Sequence, residues 1–455
     1  MGKKYKKLFQ FGCGVLVSLI QLSVSAQAPS IQWQRVINAP VYSNNLQAIK
    51  ASNGGYALVY NGKVIRLSES GGILWDIEIQ IPFPTTMYAE FITAIPDGSF
   101  MVLARNSYYW YLIRIENTGS VAWYKSFVEA TRSTSTTERS FSSLIRTDDG
   151  GFLASDITQY GRNGTATILY KFDSEGNLTL TKSIINDYGN NARGSTRAEK
   201  IIQMNDGGYL LVGIATVKDL VTTSAWAARL TTQLDKIWQK NFSITEFDDV
   251  IQDPYQLGSY IAIGSESSST TKTIKFDANG AISSEFTQSN RLSNSKSSLV
   301  KGAEGYTTVD VVNENSGDIR LQSLMSQGPS WAKRIGGSST ELIRSTVAAD
   351  DGGYLLFGTT ASIDGDLQGK TIAEITPWIV KISPPCNDMY YSTQAGNWDN
   401  PKTWSCGQIP TSIGVVHLNH AVVIPQSYSA KARQVIYDLP VQLKLEHGAN
   451  LLLNP

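Results

Sequence analysis

Histidine is scarce in this chain, with only 3 among 455 residues. They lie near the C-terminus, at His417, His420 and His447. The long segment before them therefore lacks the base of a Ser-His-Asp triad and any imidazole ligand for a metal. His417 and His420 are three positions apart, and such residues on a strand point to opposite faces, so the sequence predicts no metal shared between them.

The chain also lacks an excess of charge of either sign. Lys plus Arg and Asp plus Glu number 39 each, which leaves a formal net charge of +0. Nucleic acids and anionic membranes are attracted mainly by a positive electrostatic field. We therefore expect no nucleic-acid partner and no ligand that is held chiefly by charge.

The N-terminal segment has the layout of a secretory signal peptide. Four lysines come by Lys7, a short apolar stretch follows, and small residues end it at Val24-Ser25-Ala26. We predict a signal peptide over residues 1–26 that is cleaved after Ala26. A membrane anchor is the weaker alternative, because glycine and polar residues interrupt the apolar stretch. The mature protein is then expected outside the cell or on its surface, with the periplasm as the alternative, and without a transmembrane segment.

Cysteine is scarce as well, with 3 in the whole chain. Cys13 belongs to the predicted signal peptide, so two remain, Cys386 and Cys406. Because disulfides persist in exported proteins, we predict a Cys386–Cys406 bridge, with two free buried thiols as the alternative.

A glycine turn followed by an aromatic strand recurs along the chain. "NDGGYLLVG" at 205–213 is nearly repeated by "DDGGFLAS" at 148 and "DDGGYLLFG" at 350. The aromatic residue after the turn recurs at intervals of 44 to 57 residues, at Tyr56, Phe100, Phe152, Tyr209, Tyr260, Tyr306 and Tyr354. Strand-only repeats of this period are typical of β-propeller blades. Glycine suits the tip of the turn, and the aromatic ring is expected to fill the gap between blades.

The two ends of the repeat array indicate how the ring closes. Each unit reads as four strands, the last of which usually carries Trp, as in "KIWQKNF". The seventh unit stops after its third strand, "WIVKISPP", whereas "IQWQRVI" at 31–37 precedes the first unit. An N-terminal strand that completes the last blade would remove two open sheet edges. We predict an all-β fold: a closed seven-bladed β-propeller over 27–384 and a small β-rich domain over 385–455.

These repeats resemble a known group of proteins. The Asp-Gly-Gly-Tyr turn, the strand "TILYKFDSEGN" and the strand "KIWQKNF" are similar to the repeat of exported β-propeller proteins abundant in Bacteroidetes-type bacteria. The resemblance implies the propeller fold but says little about a ligand, because propellers host many functions.

The C-terminal segment carries a second resemblance. "GNWDNPKTWSCGQIPT" and "VVHLNHAVVI" are similar to the start of the eight-glycine domain of secreted and cell-surface proteins, although few of its glycines are kept. This implies a β-helix-like domain, whose last coil we expect to pack on the propeller or on a partner. Trp398 and Trp404 could stack on a sugar, but packing inside the small domain is the favoured interpretation.

Candidate ligand-binding residues lie in the long loops. Loops between second and third strands and those between blades usually gather on one face of a propeller, and long loops carry most recognition. Aromatic and arginine side chains suit sugar or protein recognition. The predicted binding patch comprises Tyr108, Tyr109, Trp110, Tyr160, Arg162, Tyr188 and Arg193. The alternative is that half of these residues cover blade edges.

No cofactor and no catalytic residue are predicted. Asp364 and Asp366, in "SIDGDLQGK", form the best calcium candidate, because the shorter acidic turns suit hairpin tips. The sequence favours a secreted or cell-surface binding protein that recognises a glycan or a protein on its loop face. The alternatives are a carbohydrate-active enzyme, either a glycoside hydrolase or a lyase, and a purely structural adhesin or stalk component.

Overall fold

The structure is a computed structural model that describes residues 29–454 with internal gaps. The gaps are 42–45, 83–85, 130, 133–134, 139, 160–164, 186–193, 218–222, 303–304, 326–327, 368, 373, 386–387, 406 and 439. The predicted signal peptide and both cysteines of the predicted disulfide, Cys386 and Cys406, lie outside the described residues. These two hypotheses stay predictions.

Seven antiparallel sheets of four strands make up most of the described chain. We number the strands in chain order and the sheets as blades 1 to 7. The first strand of the chain is β1 (Ile31–Val36). Blade 1 contains β2 (Gln47–Lys50), β3 (Tyr56–Tyr60), β4 (Lys63–Leu67) and β5 (Ile73–Glu78). Blade 2 contains β6 (Tyr88–Ala94), β7 (Phe100–Arg105), β8 (Tyr109–Ile115) and β9 (Val121–Glu129).

A short hairpin, β10 (Thr131–Arg132) and β11 (Ser135–Glu138), follows blade 2. Blade 3 contains β12 (Ser140–Arg146), β13 (Phe152–Gln159), β14 (Thr165–Phe172) and β15 (Leu178–Ile184). Blade 4 contains β16 (Gly194–Gln203), β17 (Tyr209–Val217), β18 (Thr223–Leu230) and β19 (Lys236–Phe242). Blade 5 contains β20 (Glu246–Gln252), β21 (Ser259–Ser267), β22 (Thr270–Asp277) and β23 (Ile282–Ser289).

The last two blades close the ring. Blade 6 contains β24 (Ser298–Lys301), β25 (Tyr306–Val312), β26 (Asp318–Met325) and β27 (Gly328–Ile335). Blade 7 contains β28 (Glu341–Ala348), β29 (Tyr354–Thr360), β30 (Thr376–Ile382) and, as its outer strand, β1. Each first strand contacts the first strands of both neighbouring blades, including β2 against β28. The chain is therefore a closed seven-bladed β-propeller with the first strands innermost.

The pairing of β1 with β30 confirms the predicted closure. The two strands are antiparallel, with Gln34 opposite Val380 and Val36 opposite Trp378. The Nε1 of Trp378 also donates a hydrogen bond of 3.0 Å to Oε1 of Gln34. Because β1 pairs the outer edge of β30, the last blade gains its fourth strand from the start of the propeller.

The aromatic residue after each glycine turn packs between blades, as the sequence predicts. Tyr209 of blade 4 is buried against Leu153 and Leu169 of blade 3. Tyr354 of blade 7 is buried in a cluster with Val309 of blade 6. The rings fill the wedge that opens between neighbouring twisted sheets, so this repeated residue is structural.

The tryptophans of the outer strands connect neighbouring blades. The Nε1 of Trp33 donates to the carbonyl of Glu69 at 2.9 Å, and that of Trp75 donates to the carbonyl of Asn117 at 2.8 Å. Each acceptor lies in the hairpin between the third and fourth strands of the following blade. The tryptophan of the outer strand thus connects its own blade to the next one through a hydrogen bond.

The C-terminal segment forms a small parallel coil. Its strands are β31 (Met389–Tyr391), β32 (Gly396–Asn397), β33 (Val415–Leu418), β34 (Val422–Ile424), β35 (Ser429–Ala432), β36 (Gln434–Tyr437), β37 (Leu443–Leu445) and β38 (Asn450–Leu453), with a short 3-10 helix at Pro401–Thr403. The strands form three parallel sheets, ordered β31-β33-β36, β32-β34-β37 and β35-β38, and the chain passes from one sheet to another as it coils. This β-helix-like arrangement confirms the predicted fold class of the segment.

Trp398 and Trp404 form the interior of this coil. Both side chains are buried, their ring centroids are 5.0 Å apart, and the Nε1 of Trp404 donates to the carbonyl of Trp398 at 2.8 Å. The packing interpretation is therefore confirmed, and neither ring is available to stack on a sugar.

The small domain packs on the glycine turn of blade 7. The ring of Tyr391 lies so close to Gly352 that a Cβ at that glycine would be 2.5 Å from the ring. The side-chain amide of Asn419 donates a hydrogen bond to the carbonyl of Asp350 in the same turn. In the part of the chain that the structure describes, no helix is long and apolar enough to cross a membrane.

Candidate functional site

The small domain and the long loops occupy opposite faces of the propeller. Asp350 and Gly352 belong to the turn between the first and second strands of blade 7, and the small domain contacts this turn. The loops between second and third strands, and those between blades, lie at the other ends of the strands. We call this side the loop face, and the small domain leaves it uncovered.

Two of the predicted aromatic residues are exposed on the loop face. The side chains of Tyr108 and Tyr109 are 55% and 38% exposed, and they lie where blade 2 passes from its second to its third strand. The Oδ1 of Asn106 accepts hydrogen bonds from the backbone N–H groups of both tyrosines at 2.8 Å. This Asx-type turn fixes the backbone from which both rings project.

Trp110 does not belong to the exposed patch, and its assignment is corrected. Its side chain is only 2% exposed, and its ring centroid lies 4.4 Å from that of Phe141 in blade 3. Successive side chains on β8 alternate between the two faces of the sheet, so Trp110 points away from Tyr109 and Tyr111. Trp110 is a packing residue between blades 2 and 3.

The other predicted patch residues are outside the described part of the chain. These are Tyr160, Arg162, Tyr188 and Arg193. Their place in a binding patch stays a prediction.

Tyr109 is joined instead by two tyrosines that the sequence analysis did not select. The ring centroids of Tyr109 and Tyr111 are 6.4 Å apart, and those of Tyr111 and Tyr124 are 6.3 Å apart, both edge to face. Tyr124 is 39% exposed. We call these three residues and the open cavity of about 800 Å³ beside them the tyrosine groove.

Polar residues border the tyrosine groove and are held in place. Its lining also includes Pro82, Lys125, Ser126, Phe127, Gly176, Asn177 and Leu178. The Nζ of Lys125 donates to the carbonyl of Glu175 and to Oδ1 of Asn177, both at 2.7 Å. Aromatic rings with an ordered polar border can contact a sugar or a protein surface.

A repeated β-bulge shapes the central channel where it opens on the loop face. The ladder between first and second strands skips one residue in five blades: Glu90, Ser142, Glu199, Asp248 and Arg344. A bulge leaves its extra residue unpaired and changes the direction of its side chain. The channel mouth is a cavity of about 280 Å³ lined by Leu46, Gln47, Glu90, Phe91, Ser140, Phe141, Ser142, Ile157, Arg197, Glu199, Lys296 and Arg344.

The second strand usually places a small residue beside the bulge. Gly213, Gly264 and Gly358 stand opposite the bulges of blades 4, 5 and 7, and Ala104 stands opposite that of blade 2. A Cβ at Gly213 would lie 2.0 Å from the carbonyl oxygen of Arg197. Blade 3 has Asp156 at this position. The final glycine of "YLLVG", "YIAIG" and "YLLFG" is thus the sequence signal for a bulge.

One side of the channel mouth is a dense ionic cluster. The Nζ of Lys296 is 2.9 Å from Asp248, 3.4 Å from Glu246 and 3.8 Å from Glu199. Burial raises the pKa of Asp248 to about 6 despite its nearby cations. Burial also disfavours the charged form of Lys296, but the neighbouring carboxylates outweigh it and keep its pKa above the usual value.

The acids of the calcium candidate serve as hydrogen-bond acceptors for the backbone. Oδ1 of Asp364 accepts from the N–H of Ser338 at 2.8 Å, and Oδ2 of Asp366 accepts from the N–H of Gly336 at 3.1 Å. Among the described residues, no three or more His, Cys, Asp or Glu side chains are grouped as a metal site would require. Asp364 and Asp366 stay a calcium candidate.

A cavity of about 590 Å³ between the propeller and the small domain is lined by paired charges. The Nζ of Lys381 contacts both carboxylate oxygens of Asp351, at 2.8 and 2.7 Å, and Oε1 of Gln32 at 2.9 Å. The Lys381–Asp351 pair also fixes the glycine turn of blade 7, because Oδ1 of Asp351 accepts from the N–H of Gly353. We interpret these groups as structural.

Comparisons with known proteins find distant likenesses in structure. No protein-family model matches the chain, and no curated protein matches it. A chain of the mitotic checkpoint complex is similar in structure, with 10% identity, 82% of this chain and 98% of that chain covered, and a TM-score of 0.49. The Pan2 WD40 domain of Neurospora crassa has 8% identity, 78% and 96% coverage and a TM-score of 0.48.

A protein of unknown function from Bacteroides caccae has 12% identity, 54% and 83% coverage and a TM-score of 0.34. These likenesses are too distant to bear on a ligand. The assignment as a propeller depends on the strand order and the ring closure described above.

Proposed function

We propose that the protein is an exported binding protein that recognises a glycan through the tyrosine groove, which runs along the outer strand of blade 2 from the loop face toward the hairpin between the third and fourth strands of blade 3. The observation that carries this proposal is the exposed Tyr109 and Tyr124 with Tyr111 between them beside an open cavity of about 800 Å³. Tyrosine offers a large apolar face and a polar hydroxyl, which suits the apolar faces and hydroxyl groups of sugars. Export is proposed from the signal-peptide layout at residues 1–26, with the cell surface or the extracellular space as destination.

The channel mouth supports a protein that binds a glycan without cleaving it. Two carboxylates there are already engaged by cations, Glu90 by Arg105 at 3.0 Å and Asp248 by Lys296 at 2.9 Å. A glycoside hydrolase needs a carboxyl pair that is free to act on the glycosidic bond. The propeller also has no histidine to serve as a general base.

The parallel coil of the small domain supports a surface role. Its three short parallel sheets agree with the β-helix that the eight-glycine resemblance implies. We propose that this domain supports or attaches the propeller from the turn face, so that the loop face stays open to a ligand.

A glycan array with residues 27–455 tests the proposed function. Tyr109→Ala combined with Tyr124→Ala should weaken binding at least tenfold, because the variant removes two ring faces that the sugar would cover, and apolar area removed from water contributes about 25 cal/mol per Å². Tyr255→Ala is the matched control, since that ring is 61% exposed in the turn between the first and second strands of blade 5, on the opposite face. The control should bind like the wild type.

Three other results would change the assignment. Equal binding by the double variant and the wild type would place the glycan elsewhere. Cleavage of a bound glycan would replace binding by catalysis. The third result is an empty glycan array together with an envelope protein that the wild type captures and the double variant does not. It would show that the ligand is a protein.

A further inference from the structure

Arg344 is the bulged residue of blade 7, and it lies at the channel mouth. The ladder between β28 and β29 skips it between Ile343 and Ser345. Opposite the bulge is Gly358, where a Cβ would lie 1.9 Å from the carbonyl oxygen of Leu342. The hydroxyl of Ser345 donates to the carbonyl of Ala48 in blade 1 at 3.1 Å, which anchors the strand beyond the bulge. The position of Arg344 is therefore set by the backbone.

Arg344 differs from the other cations that line the channel mouth. Arg197 is paired with Glu199, and Lys296 with Asp248. Within the described residues Arg344 has neither a carboxylate nor a hydrogen-bond acceptor, and its Nε is buried. Burial lowers its pKa, with no acid to oppose the effect. A guanidinium partly removed from water without a partner is costly, and such groups concentrate at functional sites.

The carboxylates that face Arg344 across the cavity already form ion pairs with other cations. Oε1 of Glu90 accepts from Nε of Arg105 at 3.0 Å, and Glu199 is held by Arg197 and by Lys296. The uncharged polar residues of the lining are Gln47, Ser140 and Ser142, and the apolar residues are Leu46, Phe91, Phe141 and Ile157. Oε1 of Gln47 accepts from the N–H of Ile92 at 2.7 Å, which leaves its amide N–H groups for another acceptor.

We propose that the channel mouth binds the carboxylate of a sugar acid, with Arg344 as its paired donor and with Gln47, Ser140 and Ser142 facing the hydroxyl groups. Arginine binds carboxylates through two parallel N–H donors, a geometry that lysine cannot reproduce. The cavity of about 280 Å³ is small enough to select a single sugar residue over an extended chain. This inference rests on the proposed glycan-binding function and adds a second, acidic subsite to it.

Titration of the protein with glucuronate, and in parallel with glucose, tests the inference. Isothermal titration calorimetry on residues 27–455 should show saturable binding of glucuronate and none of glucose. Arg344→Gln should weaken glucuronate binding at least tenfold, and Arg344→Lys should restore only part of it. The matched control is Arg334→Gln, which removes an exposed arginine on the outer strand of blade 6 and should leave binding unchanged.

The melting temperature separates a ligand-binding role for Arg344 from a structural one. Arg344→Gln removes an unpaired, partly buried charge, so its melting temperature should equal or exceed that of the wild type. A clear decrease would show that the arginine has a structural partner, and it would overturn the proposal. Equal binding of glucose and glucuronate, or unchanged glucuronate binding by Arg344→Gln, would overturn it as well.

Two further measurements keep this inference distinct from the proposed function. The double variant Tyr109→Ala and Tyr124→Ala should bind glucuronate like the wild type, since it leaves the channel mouth intact. Tighter binding of a blocked glutamate peptide than of glucuronate would overturn the assignment to a sugar acid. Glucuronate binding together with an empty glycan array would contradict the tyrosine groove and support the channel mouth.

Discussion

At the scale of single residues, Asp248 shows how burial can outweigh charge pairing. Its carboxylate is 2.9 Å from Lys296 and 3.7 Å from Arg291, yet burial raises its pKa to about 6. A carboxyl whose pKa is higher in the folded chain binds more protons there than in the unfolded chain. Its contribution to stability is therefore present at low pH and is lost as the pH rises through about 6.

Asp248→Asn should reveal this pH dependence. Asparagine cannot ionise, so the variant does not acquire the penalty that the wild type acquires between pH 5 and 7.5. The unfolding free energy of the variant relative to the wild type should be more favourable at pH 7.5 than at pH 5 by about 1 kcal/mol. Urea unfolding at both values measures it. A difference that is the same at both pH values would contradict the account.

The aromatic patch shows what a sequence can predict at this scale. The run "YYW" predicted a cluster, and Tyr108 and Tyr109 are exposed as expected. Trp110 was misassigned because both faces of a propeller blade are covered by neighbouring blades. The alternation of side chains along β8 therefore does not predict which of its residues are exposed. Tyr111 and Tyr124 were missed because their contact requires the register of β8 against β9.

At the scale of the repeated element, the turn aspartate has a second role that the sequence did not reveal. Oδ1 of Asp206 accepts from the N–H of Gly208, as a turn cap should, while Oδ2 is 2.5 Å from Arg229 on the third strand. The same pairing joins Asp149 to Lys171 at 3.0 Å. The basic residue of the third strand is therefore part of the repeat for a physical reason, although each exposed pair contributes only about 0–1 kcal/mol.

The glycines beside the bulges of blades 4, 5 and 7 should be less tolerant of substitution than a glycine of an open hairpin. Gly213→Ala places a Cβ 2.0 Å from the carbonyl oxygen of Arg197, and a backbone atom cannot move aside without opening the bulge. We expect a loss of about 1–3 kcal/mol in unfolding free energy. Gly72→Ala is the control, because the nearest atom there is the Ser68 hydroxyl, which can rotate.

Chemical denaturation of both glycine variants measures this difference. A Gly213→Ala protein as stable as the Gly72→Ala protein would show that the bulge is not tightly held. The final glycine of "YLLVG" was visible in the sequence, but its meaning depends on the strand pairing, which the repeat alone does not give. The channel mouth was missed for this reason.

At the scale of the whole molecule, the sequence was sufficient to predict the ring. The seventh unit lacks a fourth strand, and "IQWQRVI" precedes the first unit. Together these features predicted a closed ring, and β1 pairs with β30 as predicted. The position of the small domain could not be predicted, because it depends on the contacts of Tyr391 and Asn419 with one glycine turn out of seven similar ones.

Closure by β1 is the basis of every position assigned to the loop face and the channel. Hydrogen exchange of backbone amides in residues 27–455 tests it most directly, because every second amide of this segment points to β30, as where the N–H of Ile37 donates to the carbonyl of Pro377 at 3.0 Å. We predict that residues 31–36 exchange as slowly as the outer strands of the other blades. Exchange of this segment at the rate of an unfolded peptide would contradict the closed ring.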